Sequence, residues 1–271
     1  MSNSKKTIGI AGCGTIGRRV ATELDGGSVP GATLGAITSR SLGRATQFAA
    51  TLPGKPPVVE LHHLVNLVDL VVEAAPANAM ETIATATLSA GKDLMALSGG
   101  ALLQRQDLFD LAERNGATIY VPSGALAGLD GVAGASVGQI DSITMITRKP
   151  PEGLRGAPGI EQADIDLDAV TEPTVVYEGQ VLEACRLFPA NVNVSAALSM
   201  AGVGPYRTTI RIYADPTVVR NTHNIVVEGE FGRLIILIEN TPSETNPKTG
   251  KLSAMSAIAT LRRITSHVQV G

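Results

Sequence analysis

The sequence predicts an α/β fold, with a doubly wound parallel sheet in residues 1–122 and a second, α+β domain in residues 123–250. Short apolar runs alternate with longer stretches of helical periodicity from Lys6 to about Val121, which is the pattern of successive βαβ units. A glycine-rich turn directly follows the first apolar run. After Val121 the chain becomes rich in glycine and alanine and its strands are less regularly spaced, which indicates a second domain with a mixed or antiparallel sheet.

The first domain divides into strands and helices along this alternation. Most of its apolar runs are rich in Val, Ile and Leu without strict alternation, as expected for strands that are covered on both faces. The strands are predicted at residues 7–11, 32–38, 58–60, 67–73, 93–97 and 117–121. The helices are predicted at residues 16–24, 41–51, 78–90 and 102–115.

The second domain has fewer helical patterns. Strands are predicted at residues 141–147 and 174–177, a short helix at 195–200, and three antiparallel strands at 206–213, 221–228 and 233–239. Residues 150–168, which contain several Gly, Pro and acidic residues, are predicted to form a long surface loop. A turn-rich connector at residues 241–250 precedes a final helix at 252–267.

Composition excludes several classes of function. The chain has 271 residues, with 22 Lys and Arg against 25 Asp and Glu, so it has no basic excess for binding nucleic acid. Its apolar stretches are too short or too interrupted to span a membrane, and we expect neither a membrane nor a nucleic-acid partner. Cys13 and Cys185 have no metal or redox spacing, so we expect no metal and a reducing, cytoplasmic location.

The glycine-rich turn is the first functional motif. Gly12, Gly14 and Gly17 form a GxGxxG pattern between a predicted strand and a predicted helix, where a dinucleotide pyrophosphate binds to backbone N–H groups at the helix N-terminus. This context favours a Rossmann dinucleotide-binding site over a glycine turn without a ligand. The predicted cofactor contacts are Gly12, Gly14, Thr15, Ile16 and Gly17.

The end of the second predicted strand indicates which cofactor binds. An acidic residue about 20 residues after the glycines usually holds the ribose of NAD, but this region reads Thr38-Ser39-Arg40. Thr38 and Ser39 can donate hydrogen bonds to a 2′-phosphate, and Arg40 can pair with that phosphate. We therefore expect that NADP is accepted alongside NAD; the alternative is that Arg40 is only a solvated charge.

His223 is the candidate acid/base group. It lies in the polar segment 220–224, just before an apolar strand, whereas His62 and His63 form a solvated pair and His267 falls in the last turn of the final helix. A structural role for His223 remains open at this point. Asn193 lies in a second polar segment, just before a predicted helix, and is a further candidate site residue. The alternative is that its side chain only caps this helix.

Several segments together resemble the L-aspartate dehydrogenase family, nearly end to end. The segments are IAGCGTIG (10–17), DLVVEAAP (69–76), PSGALAGLDG (122–131), KPP (149–151), FPANVNVSAALSMAG (188–202), NTHNIVVEGEFG (221–232) and ENTPSETNPKTGKLSAMSAIATLRRI (239–264). The resemblance implies reversible NAD(P)-dependent deamination of L-aspartate to iminoaspartate, then oxaloacetate and ammonia, in aspartate metabolism or NAD biosynthesis.

The same resemblance implies an assembly and several residue roles. It implies a homodimer, a Rossmann domain completed by a helix from residues 251–271, and a catalytic domain like those of glyceraldehyde-phosphate and homoserine dehydrogenases. His223 matches the catalytic histidine of the family, and Ala127 and Asn193 match its cofactor contacts.

A substrate with two carboxylates needs cationic partners. Residues 140–240 contain 8 Lys and Arg against 13 Asp and Glu, a balance of 8 − 13 = −5, so individual side chains must supply the attraction. Lys149 is the leading candidate, with Arg148 and Arg220 behind it, and the alternative is a solvated lysine.

Two functions other than aspartate dehydrogenase activity remain open for the protein. One is a homoserine- or dihydrodipicolinate-type reductase, and the other is an NAD(P)-binding sensor without turnover.

Overall fold

The computed structural model describes residues 5–189, 192–241 and 250–270. The chain divides into two compact units, the first formed by residues 1–98, 105–122 and 254–271 and the second by residues 99–104 and 123–253. Most of the predicted connector at 241–250 lies outside the described residues. Within the described residues, every helix is too short or too polar to cross a membrane.

A five-stranded sheet forms the centre of the first unit. Its strands are β1 Lys6–Ala11, β2 Ala32–Thr38, β3 Leu70–Glu73, β4 Asp93–Ala96 and β5 Ile119–Tyr120. They are all parallel, in the order β2-β1-β3-β4-β5. The chain therefore reverses its direction of winding between β1 and β3, and the carboxyl ends of these strands are the usual place for a ligand in such a sheet.

Helices cover both faces of this sheet. In chain order they are α1 Thr15–Asp25, α2 Leu42–Ala49, α3 Leu61–Leu67, α4 Ala77–Ser89 and α6 Gln106–Arg114; between α4 and α6 the chain forms the short helix α5 Gly99–Leu102, which belongs to the second unit. In α1, the side chains of Val20, Ala21 and Leu24 recur on one face and are buried against the sheet. Because helices cover both faces of the sheet, β1 and β3 are almost continuously apolar.

The second unit contains a mixed five-stranded sheet. Its strands are β6 Ile140–Lys149, β7 Thr174–Gln180, β8 Thr208–Ala214, β9 Asn221–Gly229 and β10 Gly232–Asn240, and its remaining helices are α7 Leu129–Ala135, α8 Pro158–Gln162, α9 Val181–Leu187 and α10 Asn193–Ala201. The strand order is β10-β9-β6-β8-β7, with only β6 and β8 parallel. Alternate residues of β6 and β9 are buried in one core.

The final helix, α11 Lys251–Ile264, returns to the first unit, as the family resemblance implies. Ala257 and Leu261 are buried in the same core as Ile8 of β1. The side chain of Arg262 donates a hydrogen bond to the carbonyl of Ser28 over 2.8 Å. The C-terminal helix is therefore part of the Rossmann-like unit.

Five local predictions are wrong. The predicted strand 58–60 is reduced to one bridge between Val58 and Ile37, because Pro57 before it has no N–H to donate and α3 begins directly after it. The predicted helix 102–115 is interrupted at Arg105, whose guanidinium pairs with Glu81 and Asp107. The predicted strand 67–73 begins only at residue 70, since residues 61–67 form α3.

The other two wrong predictions concern residues 150–168 and His267. Residues 150–168 are not a simple surface loop, because Leu154, Ile160 and Leu167 are buried in the core between short helical turns. The final helix, α11, ends before His267, which is therefore not in its last turn. The strands predicted at 206–213 and 221–228 do run antiparallel, with β6 between them in the sheet.

Candidate functional site

The glycine loop joins β1 to α1 in the first unit. Gly12 has φ +119°, a conformation that favours glycine, and its N–H donates a hydrogen bond to the carbonyl of Thr38 over 2.8 Å. A side chain at Gly12 would collide with the carbonyl of Ala74, and one at Gly17 would collide with the carbonyl of Gly12. These two glycines are therefore required by the fold of the loop itself.

Gly14 differs from these two glycines. It has φ −78°, and a Cβ built on it would have its nearest neighbour, the carbonyl oxygen of Ala74, 4.0 Å away. Gly14 is exposed and precedes the first turn of α1, which begins at Thr15, with Ile16 next in the chain. The unoccupied space beside Gly14 and the N-terminus of α1 fit a dinucleotide pyrophosphate that approaches the backbone closely.

Ser39 and Arg40 directly follow β2, next to the end of β1. Ala11, the last residue of β1, is paired with Thr38, the last residue of β2. Arg40 is exposed, and none of the ion pairs found among the described residues includes it. A guanidinium in this place can pair with a ribose phosphate without first breaking an internal ion pair.

His223 lies on the inner face of β9 in the second unit and is only 3% exposed. It pairs in register with Thr147 of β6, and its Nδ1 atom is 3.1 Å from the Thr147 hydroxyl oxygen, a hydrogen bond whose donor depends on the imidazole tautomer. Burial, together with the nearby charge of Lys149, lowers the pKa of His223 to about 3. The imidazole is therefore neutral at physiological pH, as a proton acceptor must be.

Lys149 lies two residues beyond Thr147 on the same strand, so both side chains are on the inner face of the sheet. It is 4% exposed, and burial lowers the pKa of its ammonium group to about 8. The alternative of a solvated lysine is therefore wrong. His223, Thr147 and Lys149, which we call the histidine cluster, combine a neutral base with a buried, ionisable cation.

The two other candidate cations have different surroundings. The guanidinium of Arg148 lies 2.9 Å from the carboxylate of Asp215 and stacks on the ring of Tyr213. Because Arg148 alternates with Thr147 and Lys149 along β6, it points to the opposite face of the sheet. Arg220 is exposed and directly precedes β9. Neither side chain is buried in the histidine cluster.

Ala127 is exposed in a turn between Gly124 and Gly128, whose φ angles are +64° and +72°. The buried side chain of Asn240, at the end of β10, donates a hydrogen bond to the carbonyl of Ala125 over 2.9 Å. The turn is thereby tied to the same strand that pairs with His223 through Ile238. The sequence motif ENTP contains Asn240, but nothing in its local pattern indicates this long-range contact.

Asn193 is the first residue of α10, and it does not cap its own helix. Its Oδ1 atom accepts a hydrogen bond from the N–H of Gly100, at the start of α5, over 3.0 Å. This bond leaves the amide NH₂ of Asn193 for other partners. The predicted alternative, a cap of α10, is therefore wrong, and the side chain instead stabilises the start of α5.

The structure brings together groups that sequence reasoning left apart. Thr147 had no assigned role, yet it is the hydrogen-bond partner of His223 across 76 positions of sequence. Glu73 and Ser98 were also unassigned, although they form a buried hydrogen-bonded pair in the first unit.

Among the described residues, no group of three or more His, Cys, Asp or Glu side chains could hold a metal ion.

Comparisons with known proteins agree across the whole chain. Residues 130–264 match the family described as "Aspartate dehydrogenase, C-terminal", and residues 12–122 match "Homoserine dehydrogenase, NAD binding domain". The L-aspartate dehydrogenase of Methanocella arvoryzae is 47% identical over 267 residues, covering 97% of this chain and 98% of the relative. L-aspartate dehydrogenase 3 of Bordetella bronchiseptica is 45% identical over 270 residues, covering 100% and 99%.

Solved structures show the same fold. The crystal structure of aspartate dehydrogenase from Thermotoga maritima has a TM-score of 0.72 at 24% identity, covering 98% of this chain and 99% of that chain. A homoserine dehydrogenase from Thiobacillus denitrificans has a TM-score of 0.62 at 13% identity, covering 96% and 73%. At these identities the likeness establishes the architecture alone.

Proposed function

The chain belongs to the aspartate dehydrogenase family and is an NAD(P)-dependent oxidoreductase, and from this premise we propose that it interconverts L-aspartate with oxaloacetate and ammonia. In the oxidative direction, L-aspartate and NAD(P)⁺ give iminoaspartate and NAD(P)H, and water then converts iminoaspartate to oxaloacetate and ammonia. The observation that carries this proposal is the histidine cluster, which places a neutral imidazole beside a buried cation.

His223 is proposed as the acid/base group. The amino group of aspartate must lose its proton before the α-hydrogen can leave as hydride, so a neutral base is needed next to it. The hydrogen bond between Nδ1 and Thr147 fixes the ring, and in the tautomer whose Nδ1–H donates to the Thr147 hydroxyl, Nε2 carries the lone pair that accepts this proton. When bound, NAD(P) supplies the nicotinamide carbon that accepts the hydride. In reverse, protonated His223 assists the loss of the carbinolamine hydroxyl group as water.

The charge of the substrate makes this role possible. With a pKa of about 3, His223 would be too weak a base to take a proton from the substrate, and its protonated form would be almost unpopulated at neutral pH. Two substrate carboxylates next to Lys149 offset its positive charge, and they stabilise an imidazolium at the same time. We therefore propose that the pKa of His223 rises when aspartate or oxaloacetate binds, so that proton transfer is confined to the occupied site.

Lys149 is proposed to bind a substrate carboxylate. We expect Lys149→Met to raise the KM for oxaloacetate by about tenfold or more, since a charge-assisted hydrogen bond is lost in a buried site.

The pH dependence of the wild type tests the same role. Only protonated Lys149 attracts a carboxylate, so kcat/KM for oxaloacetate of the wild type should fall as the pH rises above about 8. In Lys149→Met, measured at constant free ammonia, this fall should disappear.

Arg220→Met provides the matched control for Lys149, because Arg220 is an exposed cation directly before β9, the strand that pairs with the Lys149 strand β6. It should leave the KM for oxaloacetate within about twofold of the wild-type value. An unchanged KM in Lys149→Met would overturn the assignment of Lys149, and a large increase in Arg220→Met would transfer it to Arg220.

Ser39 and Arg40 are proposed to bind the 2′-phosphate of NADP. We expect Arg40→Ala to lower kcat/KM for NADPH by about tenfold while changing kcat/KM for NADH by less than about twofold, because only NADPH carries the phosphate. Arg44→Ala is the control, since Arg44 is an exposed arginine nearby on α2. A strong wild-type preference for NADH, or an equal loss with both cofactors, would contradict this proposal.

The remaining cofactor contacts are proposed from the family match. Gly12, Gly14, Thr15, Ile16 and Gly17 form the pyrophosphate loop, as their geometry in the first unit favours. Ala127 and Asn193 are proposed as further contacts to the nicotinamide cofactor. The support for Ala127 is its exposure in a turn that Asn240 anchors, and for Asn193 it is the NH₂ group that its bond to Gly100 leaves for another partner.

We propose that the protein is a homodimer formed through its second sheet. The exposed fractions of Ile235 and Leu237 are 58% and 66%, although both lie in the middle of β10. They face away from the core that contains Ile236, so a second copy would bury two large apolar side chains on this face. A solution mass of twice 28.0 kDa is expected, and a monomer at micromolar concentration would contradict the proposal.

We further propose a cytoplasmic enzyme of aspartate metabolism or pyridine-nucleotide biosynthesis. Both cysteines are free thiols, which favours a reducing compartment. The link to biosynthesis requires that iminoaspartate leaves the enzyme before hydrolysis. Oxidation of L-aspartate in the presence of an enzyme that consumes iminoaspartate tests this link: its product should accumulate at the expense of oxaloacetate.

The substrate itself is tested in the oxidative direction. Purified protein with NADP⁺ should form NADPH with L-aspartate, but not with D-aspartate, L-glutamate or L-homoserine. Product analysis should show one oxaloacetate and one ammonia for each NADPH. Preferential oxidation of L-homoserine would instead support a homoserine-type enzyme on the same scaffold.

A further inference from the structure

A fully buried carboxylate in the first unit has no part in the proposed chemistry. Glu73 is the last residue of β3 and is 0% exposed. Its Oε1 atom accepts hydrogen bonds from the N–H of Ala75 over 3.0 Å and from the hydroxyl of Ser98 over 3.1 Å, and its Oε2 atom accepts one from the N–H of Ser98 over 2.9 Å. Burial raises the pKa of Glu73, and these hydrogen bonds partly oppose the increase.

The three hydrogen bonds connect two loops. Ala75 lies in the turn after β3, and Ser98 follows β4 and is the last residue before the chain leaves the first unit. In the sheet, Glu73 is paired with Ala11 of β1 on one side and with Ala96 of β4 on the other. One carboxylate therefore holds the backbone at the carboxyl ends of two neighbouring parallel strands.

The same turn supports the glycine loop. Ala74, between Glu73 and Ala75, donates a hydrogen bond to the carbonyl of Ala11 over 2.8 Å. Its own carbonyl occupies the space that a side chain at Gly12 would need, and its Cβ atom would be 3.2 Å from a Cβ atom at Gly17. The turn after β3 therefore packs directly against the glycine loop.

We propose that Glu73 is a positioning residue for the nicotinamide half of the cofactor, an inference that rests on the proposed dinucleotide site. The end of β2, with Ser39 and Arg40, is the place for the adenosine ribose. A dinucleotide that crosses the glycine loop from β2 must continue over the carboxyl ends of β3 and β4. These are the two strand ends that Glu73 holds together.

Glu73→Gln tests the proposal, because it keeps the size of the side chain but replaces one acceptor oxygen by an NH₂ group that faces a donor. Dissociation constants are measured by calorimetry for NADP⁺ and for adenosine 2′,5′-bisphosphate, a fragment that lacks the whole nicotinamide half. NADP⁺ should bind at least about tenfold more weakly than to the wild type, and the fragment less than about twofold more weakly. Glu113→Gln, an exposed carboxylate on α6, should change neither constant.

Ser98→Ala is the second variant, for the case in which Glu73→Gln does not fold. It removes one of the three hydrogen bonds and should weaken NADP⁺ binding by a smaller factor, again without affecting the fragment. Equal weakening of both ligands, or of neither, would overturn the proposal. Failure of wild-type protein to bind NADP⁺ and the fragment would instead contradict the dinucleotide site itself.

Discussion

His223→Ala is expected to lower kcat by about a thousandfold, in both directions of the reaction, while leaving the dissociation constant for NADPH unchanged. The reason is that the imidazole is assigned to proton transfer at the substrate nitrogen and to no contact with the cofactor. Steady-state kinetics with oxaloacetate and ammonium measure kcat, and quenching of NADPH fluorescence measures binding. Thr147→Val should give a smaller loss of about tenfold, because the ring remains but its orientation is no longer fixed by a hydrogen bond.

His62→Ala is the control for this experiment, since His62 is exposed on α3 and has no assigned role. Its kcat should equal that of the wild type. If His223→Ala retained a kcat within about threefold of the wild type, His223 would be a structural histidine and the acid/base group would have to be found elsewhere. A melting temperature measured for each variant separates loss of catalysis from loss of folded protein.

Gly14→Ala is expected to weaken cofactor binding by at least about tenfold without destabilising the protein. Because no atom of the chain lies closer than 4.0 Å to a Cβ at Gly14, the folded protein accommodates the methyl group. The methyl group would occupy space that a pyrophosphate needs for its approach to the backbone. The free energy of unfolding should therefore stay within about 0.5 kcal/mol of the wild-type value, measured in the absence of cofactor.

Two further glycines complete this experiment. Gly43→Ala, on the open face of α2, should leave cofactor binding unchanged, because a Cβ there has no neighbour within 4 Å. Gly17→Ala should destabilise the fold by several kcal/mol, on the order of 3 kcal/mol, since its methyl group would collide with the carbonyl of Gly12. Unchanged NADPH binding by Gly14→Ala would contradict the assignment of the glycine loop.

Features that depend on neighbouring residues were predictable from the sequence. The glycine loop is an example, because the turn, the strand before it and the helix after it are all encoded within residues 6–25. The strand at 32–38 was predicted with its observed limits for the same reason. The polar segment before an apolar strand made His223 a candidate, which is a local signal, but its leading place as acid/base group depends on the family resemblance.

Features that depend on distant residues were not predictable in this way. Residues 150–168 are rich in Gly and Pro, which indicates breaks in regular structure but gives no information about burial, and Leu154 and Ile160 are buried in the core. The parallel pairing of β6 with β8 joins segments that are about 65 residues apart, for instance Thr144 with Thr209. No periodicity in either strand specifies this partner.

The same distinction between features set by neighbouring residues and features set by distant residues applies to the candidate site. The residue types of Lys149 and Glu73 suggest solvent exposure, and only the tertiary structure places their charged groups in the interior. Burial then creates the properties that matter: an ammonium group with a pKa of about 8, and a carboxylate that holds two loops. The sequence could nominate His223 and the glycine loop as candidates, but not the buried groups that are proposed to tune or position them.

The most direct test of the proposed activity is oxidation of NADPH and NADH, followed at 340 nm with oxaloacetate and ammonium, with each component omitted in turn. The account predicts turnover only when oxaloacetate and ammonium are both present, with L-aspartate as the product. Oxidation without ammonium would show a keto-acid reductase. No oxidation under any of these conditions, by protein that binds the cofactor, would contradict aspartate dehydrogenase activity.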